Sequence, residues 1–148
     1  MDIKIKKINE NAIIPDRGSR CAAGYDLYAC IDNSQIAIPP HTTIKISTGL
    51  QMEIPFGYFG AIFARSGLAT KNGLRPANCV GVIDSDYRGD IIVALHNDTS
   101  NKQQVNQNQK IAQMVVLPCQ TVDFIEVETL TDTDRGDGGF GSTGTGSN

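Results

Sequence analysis

Short runs of alternating apolar and polar residues recur along this chain, and most are closed by Pro, Gly, Asn or Asp. Residues 25–30, 35–38, 42–47, 50–54, 58–64, 78–83, 90–95, 111–117 and 121–127 carry the pattern, and residues 1–8 alternate apolar and charged side chains in the same way. No segment holds a helical period over three turns. A half-apolar strand must hide one face, and a set of such strands does so by stacking two sheets or closing a barrel. The pattern therefore predicts an all-β sandwich or barrel. One short helix is expected at 66–71, directly after Arg65. At 148 residues the chain suffices for a single well-buried core, and no internal repeat divides it.

The formal net charge is −3, which argues against a sequence-independent grip on duplex nucleic acid, since that needs a basic face. A small polyanion needs only a few local cations and stays admissible. No run reaches the roughly 18–20 apolar residues of a membrane span, and the charged, alternating start reads as a strand, not as a signal peptide. Cys21, Cys30, Cys79 and Cys119 form no Cys-x-x-Cys pair. They read as reduced thiols, which points to a cytoplasmic protein with no membrane or nucleic-acid partner. His41 and His96 have no partner at metal-ligand spacing and read as structural. Asn97-Asp98-Thr99 matches the glycosylation sequon by chance.

The densest polar chemistry lies in Gly81-Val82-Ile83-Asp84-Ser85-Asp86-Tyr87-Arg88-Gly89-Asp90. The flanking apolar runs predict a β-hairpin with these groups at its mouth. A solvated turn explains the stretch equally well when it is taken alone. A second polar group, Arg65-Ser66-Gly67, opens the expected helix, where free N–H groups and the positive dipole end favour an anion; a simple helix start with a surface Arg is the plain alternative. Arg-Gly-Asp occurs at Arg88-Gly89-Asp90 and at Arg135-Gly136-Asp137, so an adhesion ligand is a formal possibility that would need an extracellular protein.

Composition changes after about residue 130, which divides the chain into a β domain, 1–130, and a tail, 131–148. The tail's glycines cannot build a core and predict a mobile segment. Gly136-Asp137-Gly138-Gly139-Phe140-Gly141 matches Gly-x-Gly-x-x-Gly, but no helix can follow in the seven remaining residues. A P-loop fails as well, because Ser142 stands where Lys is required. What remains is a set of anion-binding parts: glycine N–H groups, the hydroxyls of Ser142 and Thr143, the Arg135 guanidinium and the flat face of Phe140. These suit a lid over a nucleotide phosphate chain.

Taken in order, the groups resemble the trimeric dUTPase family. Its five motifs look like Ala23-Gly24-Tyr25-Asp26-Leu27-Tyr28-Ala29, then Ala64-Arg65-Ser66-Gly67-Leu68-Ala69, then Asn78 through Gly89, then Lys110-Ile111-Ala112-Gln113-Met114, and last Arg135 through Gly144. In the fourth, Asn108-Gln109-Lys110 replaces the usual Gly-Asp-Arg, so the cation stays and the acid is lost. The resemblance implies a jelly-roll-like β-barrel or sandwich of the dUTPase β-clip type. It implies a homotrimer with sites between subunits, closed by the tails, and hydrolysis of dUTP to dUMP and pyrophosphate.

Residue by residue, the resemblance makes Asp84 the catalytic carboxylate that activates water. It makes Asp26 the holder of Mg²⁺ through water, and gives Asp86 no direct role. Arg65, Ser66, Gly67 and Gln113 take phosphate oxygens. Asn78 with the strand backbone at Gly81, Val82, Ile83 and Ile92 reads uracil, and Tyr87 lies under the deoxyribose. Arg135, Phe140, Gly141, Ser142 and Thr143 close the site. The rival enzyme is a dCTP deaminase, whose motif resembles Arg-Ser-Ser where this chain has Arg65-Ser66-Gly67. The rival of another class is a binding or regulatory module that signals through partners.

Overall fold

The computed structural model describes residues 1–139. It is a β jelly-roll of the expected class, with one helix and twelve strands in the order β1 (Lys4–Lys7), β2 (Asp16–Arg17), β3 (Tyr25–Tyr28), β4 (Gln35–Ile38), β5 (Thr43–Ser47), β6 (Leu50–Glu53), β7 (Tyr58–Phe63), α1 (Ser66–Asn72), β8 (Leu74–Pro76), β9 (Gly81–Ile83), β10 (Ile92–Asn97), β11 (Gln103–Asn106) and β12 (Lys110–Pro118). Every pairing is antiparallel. The largest sheet runs β2-β3-β12-β7-β9, a second runs β5-β10-β8, and β1-β6 and β11-β4 pair as two-stranded ribbons.

Alternation sets the inner face. Leu27 on β3, Ile46 on β5, Leu50 and Met52 on β6, Val93 and Leu95 on β10 and Val105 on β11 are all buried in one cluster. Each such aliphatic side chain taken from water stabilises the fold by about 1.5–3 kcal/mol before the entropy of ordering is subtracted. The helix contributes only Leu68 to this core and stops at a left-handed Gly73 (φ 62°). All four cysteines are unpaired. Burial, with the Asp90 and Asp32 carboxylates, raises the Cys30 thiol above its ordinary range, which keeps it protonated and unreactive.

Three expectations are corrected. The strands at 78–83 and 91–95 do not form a hairpin: β9 pairs with β7 and β10 with β5 and β8, so they belong to different sheets. Second, residues 121–127 form no strand. Val122, Phe124, Ile125 and Val127 are exposed, because no edge of the described residues pairs with them, and β propensity without a partner strand orders nothing. Third, β2, β8 and β11 went unpredicted. β11 reads Gln103-Gln104-Val105-Asn106, and only Val105 marks its buried face. No helix among the described residues is long and apolar enough to cross a membrane.

Candidate active site

Strand β7 is the ruler of the site. Its Phe63 end faces Gln113 of β12, and Gln113 in turn faces Asp26 of β3. The chain leaves β7 through Ala64 and Arg65 and turns at once into α1. Register alone thus gathers groups from the first, second and fourth motifs at one end of the largest sheet. Arg65 Nε lies 2.9 Å from Asp26 Oδ1, and Lys110 Nζ lies 2.7 Å from Asp26 Oδ2. The hydrogen bond to Asp26 holds the Lys110 ammonium above its ordinary range, so it is a cation throughout neutral pH.

Gln113 Nε2 donates to the Ala64 carbonyl at 2.9 Å. Its Oε1 lies so close to Gly24 that a Cβ there would collide with it. The first intrahelical bond runs from the Ala69 N–H to the Arg65 carbonyl, so the N–H groups of Ser66 and Gly67 have no helical acceptor. Two cations therefore flank one nearly buried carboxylate, and the free N–H groups open the helix directly after one of them.

The other edge of β7 carries the third motif along its middle, where Gly60, Ala61 and Ile62 face Ile83, Val82 and Gly81 of β9. Asn78, Gly81, Val82, Ile83 and Ile92 share a cavity of about 150 Å³ with Ile62, Pro76, Val93 and Ala94. β9 is the last strand of its sheet, and β8 pairs only with Leu95, His96 and Asn97 of β10. The backbone edges of β9 and of β10 at Ile92 therefore face this cavity without a ladder partner among the described residues. The volume falls below the ~300–1,000 Å³ of whole-ligand pockets and suits a single ring. A larger groove of about 430 Å³, lined by Ile3, Ile5, Tyr25, Met114 and Val116 among others, holds none of the expected site residues.

Beyond β9, Asp84 is exposed, and its side chain makes no hydrogen bond or ion pair among the described residues. Tyr87 packs over Gly89, where no side chain would fit, and its hydroxyl donates to the Asp90 carbonyl at 3.0 Å. Arg88 Nη1 donates to the Ser85 and Tyr87 carbonyls at 2.7 and 2.9 Å. Arg88 is thus spent on its own loop and Asp90 Oδ1 is buried. Arg88-Gly89-Asp90 is not displayed as an adhesion ligand.

Asp84 follows Ile83, which faces Gly60, whereas Arg65 follows the Phe63 end of β7, so the two stand roughly 16–20 Å apart at ~3.3 Å per residue. One chain therefore holds two half-sites, one phosphate-like and one base-like. Arg135 lies in a local turn and donates from Nε to the Gly138 carbonyl at 2.9 Å. The expectations for Phe140, Gly141, Ser142 and Thr143 fall outside the described residues.

A dUTPase family model matches residues 10–144. The chain belongs to the dUTPase family. It is 47% identical over 144 residues to the deoxyuridine 5'-triphosphate nucleotidohydrolase of Nautilia profundicola, covering 97% of this chain and 99% of that one. It is 50% identical over 132 residues to that of Desulfitobacterium hafniense, covering 88% and 87%. The dUTPase of Staphylococcus bacteriophage 80alpha, solved with dUPNHPP, superposes with a TM-score of 0.89 at 26% identity, over 97% of this chain and 99% of that one.

Within this dUTPase frame the donor set decides how a metal fits. No group of three His, Cys, Asp or Glu side chains that could hold an ion occurs among the described residues. Asp26 offers one carboxylate already flanked by cations, which does not make a resident cage. It does fit a hard ion that brings phosphate oxygens and water with it and needs one outer carboxylate. Sequence reasoning missed Lys110 as a site residue, although the cation was visible in the fourth motif. It also missed Ile62, Pro76, Val93 and Ala94, which carry no polar signal and line the cavity only because two sheets part there.

Proposed function

We propose that this dUTPase-family enzyme hydrolyses dUTP to dUMP and pyrophosphate at sites built between copies of the chain in a homotrimer. The observation that carries the reading is that Asp84, beyond β9, stands well apart along β7 from the cations gathered past its Phe63 end. A base held between β9 and β10 of one copy needs the phosphate cluster of another, and the family resemblance supplies the threefold arrangement. The product dUMP feeds thymidylate synthesis, and removal of dUTP keeps uracil out of DNA.

In this reading uracil enters the cavity between β9 and β10. The unpaired backbone edges at Gly81, Val82, Ile83 and Ile92, with the Asn78 amide, meet its pairing edge. Cytosine would leave a donor or acceptor unpaired at ~1–3 kcal/mol, and the close walls leave no room for a thymine methyl. Tyr87, held by Asp90, lies under the deoxyribose and blocks a 2′-hydroxyl. Arg65 with the N–H groups of Ser66 and Gly67 takes α- and β-phosphate oxygens, and Gln113 takes the α-phosphate.

Asp84 accepts a proton from water and aims it at the α-phosphorus in line with the leaving pyrophosphate. Asp26 would hold Mg²⁺ through water, and the ion would supply charge neutralisation for the leaving pyrophosphate. From the tail, 131–148, Arg135, Gly141, Ser142 and Thr143 clamp the γ-phosphate and Phe140 covers the base. The cytoplasmic placement expected from the free thiols belongs to the same proposal.

The test is pyrophosphate release from dUTP, dCTP, dTTP and UTP in the presence of Mg²⁺. Only dUTP is expected to be consumed. Equal turnover of dCTP would overturn the base-reading assignment, and ammonia release from it would favour the deaminase.

A second result is expected from Gly24→Ala. The added methyl forces the Gln113 amide off Ala64, while the amide's freedom to move keeps the stability loss near 1 kcal/mol. The KM for dUTP should rise about tenfold from the misplaced donor, with deoxyuridine affinity unchanged.

A further inference from the structure

One wall of the base cavity comes from a strand that does not border it. Ile62 lies on β7, one strand beyond β9, and faces Gly81. Residues directly opposite each other in a sheet place their side chains on the same face. Gly81 has no side chain to interpose, so Ile62 reaches past it and lines the cavity. A Cβ at Gly81 would stand 3.2 Å from Ile62 Cβ and 3.7 Å from its Cδ1. Two residues along, the order reverses. Gly60 on β7 faces Ile83 on β9, and a Cβ at Gly60 would stand 3.3 Å from Ile83 Cβ. Each isoleucine thus leans over the glycine of the strand beside it. Ile62 is 2% exposed and faces Met114 of β12 on its other side, so core packing holds it in place.

The amide that reads the base meets this wall. A Cβ at Gly81 would also stand 3.4 Å from Asn78 Nδ2, so a ring bonded to the Asn78 amide lies against Ile62. The chemistry of uracil fixes the rest. Its N1 carries the sugar and must point out of the mouth, and O2, N3 and O4 take the polar side. C5 and C6 are left for an apolar wall. A close-packed aliphatic side chain accepts those C–H edges and leaves no space for a larger group.

We infer that Ile62 is a specificity-determining residue that excludes a substituent at C5 of the base, and that Gly81 admits it to the cavity by having no side chain. Selectivity then has two separable parts. Hydrogen bonds at Asn78 and the strand edges reject cytosine, and the Ile62 side chain rejects thymine. The inference rests on the reading of this cavity as the base site, and its test separates the two.

Values of kcat/KM for dUTP, dTTP and dCTP are measured with Mg²⁺ in the parent, Ile62→Val, Ile62→Ala and Ile46→Val. Ile62→Val should raise the dTTP-to-dUTP ratio about tenfold and Ile62→Ala further, on the ~10–200-fold scale that one methylene commands in an apolar pocket. The dCTP-to-dUTP ratio should stay within about twofold, because no hydrogen-bonding group has changed. Ile46 is 1% exposed in the same core but does not line the cavity. Ile46→Val should therefore lose a comparable few degrees of Tm and leave both ratios alone. If Ile62→Ala fails to assemble, Ile62→Val, which gives up a single methyl group, carries the comparison.

A dTTP-to-dUTP ratio within about twofold of the parent overturns the inference. So does an equal rise in Ile46→Val, or a dCTP ratio that climbs in step, since either would mean a loosened fold and not a missing wall. Deoxyuridine affinity tests the underlying reading. Gly81→Ala puts a methyl group into the cavity and should abolish binding, and Asn78→Ala, at an exposed position, should weaken it. If both variants bind deoxyuridine as the parent does, the cavity is not the base site.

Discussion

Asp84→Ala is expected to reduce dUTP hydrolysis by about 10²–10⁴-fold, the range a positioned general base contributes, and to leave the fold intact. Both halves of the expectation come from the same observation. The Asp84 side chain is exposed and makes no hydrogen bond or ion pair among the described residues, so its removal opens no cavity and strands no partner. Surface substitutions of that kind change stability by no more than about 0.5 kcal/mol. The neighbouring loop is held by other groups, the Tyr87 hydroxyl on the Asp90 carbonyl and Arg88 on two carbonyls, so the base cavity keeps its shape. Pyrophosphate release and a thermal melt, measured on one preparation, check the two halves together. A variant that hydrolyses dUTP at the parental rate would sink the assignment of Asp84.

Asn97→Ala should do the reverse and unfold the protein before it touches chemistry. Asn97 is 0% exposed. Its Nδ2 donates to the carbonyls of Ile38, Pro39 and Asn101 at 3.0, 3.1 and 2.8 Å. Its Oδ1 accepts from the Thr99 N–H and Oγ1 at 2.9 and 2.8 Å. The side chain thus ties the end of β10 to the end of β4 and to the turn that follows. Truncation leaves buried carbonyls and an N–H without partners, each at ~1–3 kcal/mol. A loss of about 3 kcal/mol or more is expected, seen as a fall of roughly 10 °C in Tm. An unchanged denaturation midpoint would contradict it. The apparent glycosylation sequon at Asn97 is explained by the same contacts, because its amide is fully engaged inside the fold.

Much of this protein could be read from residue order. Alternation marked β3 to β7 and β12 within a residue or two of their observed limits, since a strand with one buried face must repeat every second residue. The helix after Arg65 was legible as the one short segment that did not follow the strand pattern. The site was legible wherever chemistry concentrates locally, as in Asp84 through Gly89 or Arg65-Ser66-Gly67.

Pairing was not legible. Nothing in the two runs around Asp84 says that they part into different sheets, and the local rule predicts the opposite. β11 escaped because three of its four residues are polar and its place comes from β4 beside it. Residues 121–127 went wrong for the mirror reason, a strand-like sequence with no edge to join. Lys110 was visible as a cation but had no role until the β12–β3 register set it against Asp26.

By itself, then, the order of residues determined the β class, the short helix and which side chains are candidates for binding, because those follow from local periodicity and chemical type. Tertiary structure alone decided that β9 and β10 stand apart with free backbone edges, that Asp26 shares two cations, and that Asp84 stands away from those cations along β7. Such choices are made by strand pairing between residues far apart in the chain, where many registers satisfy the same local pattern and only the packed core selects one.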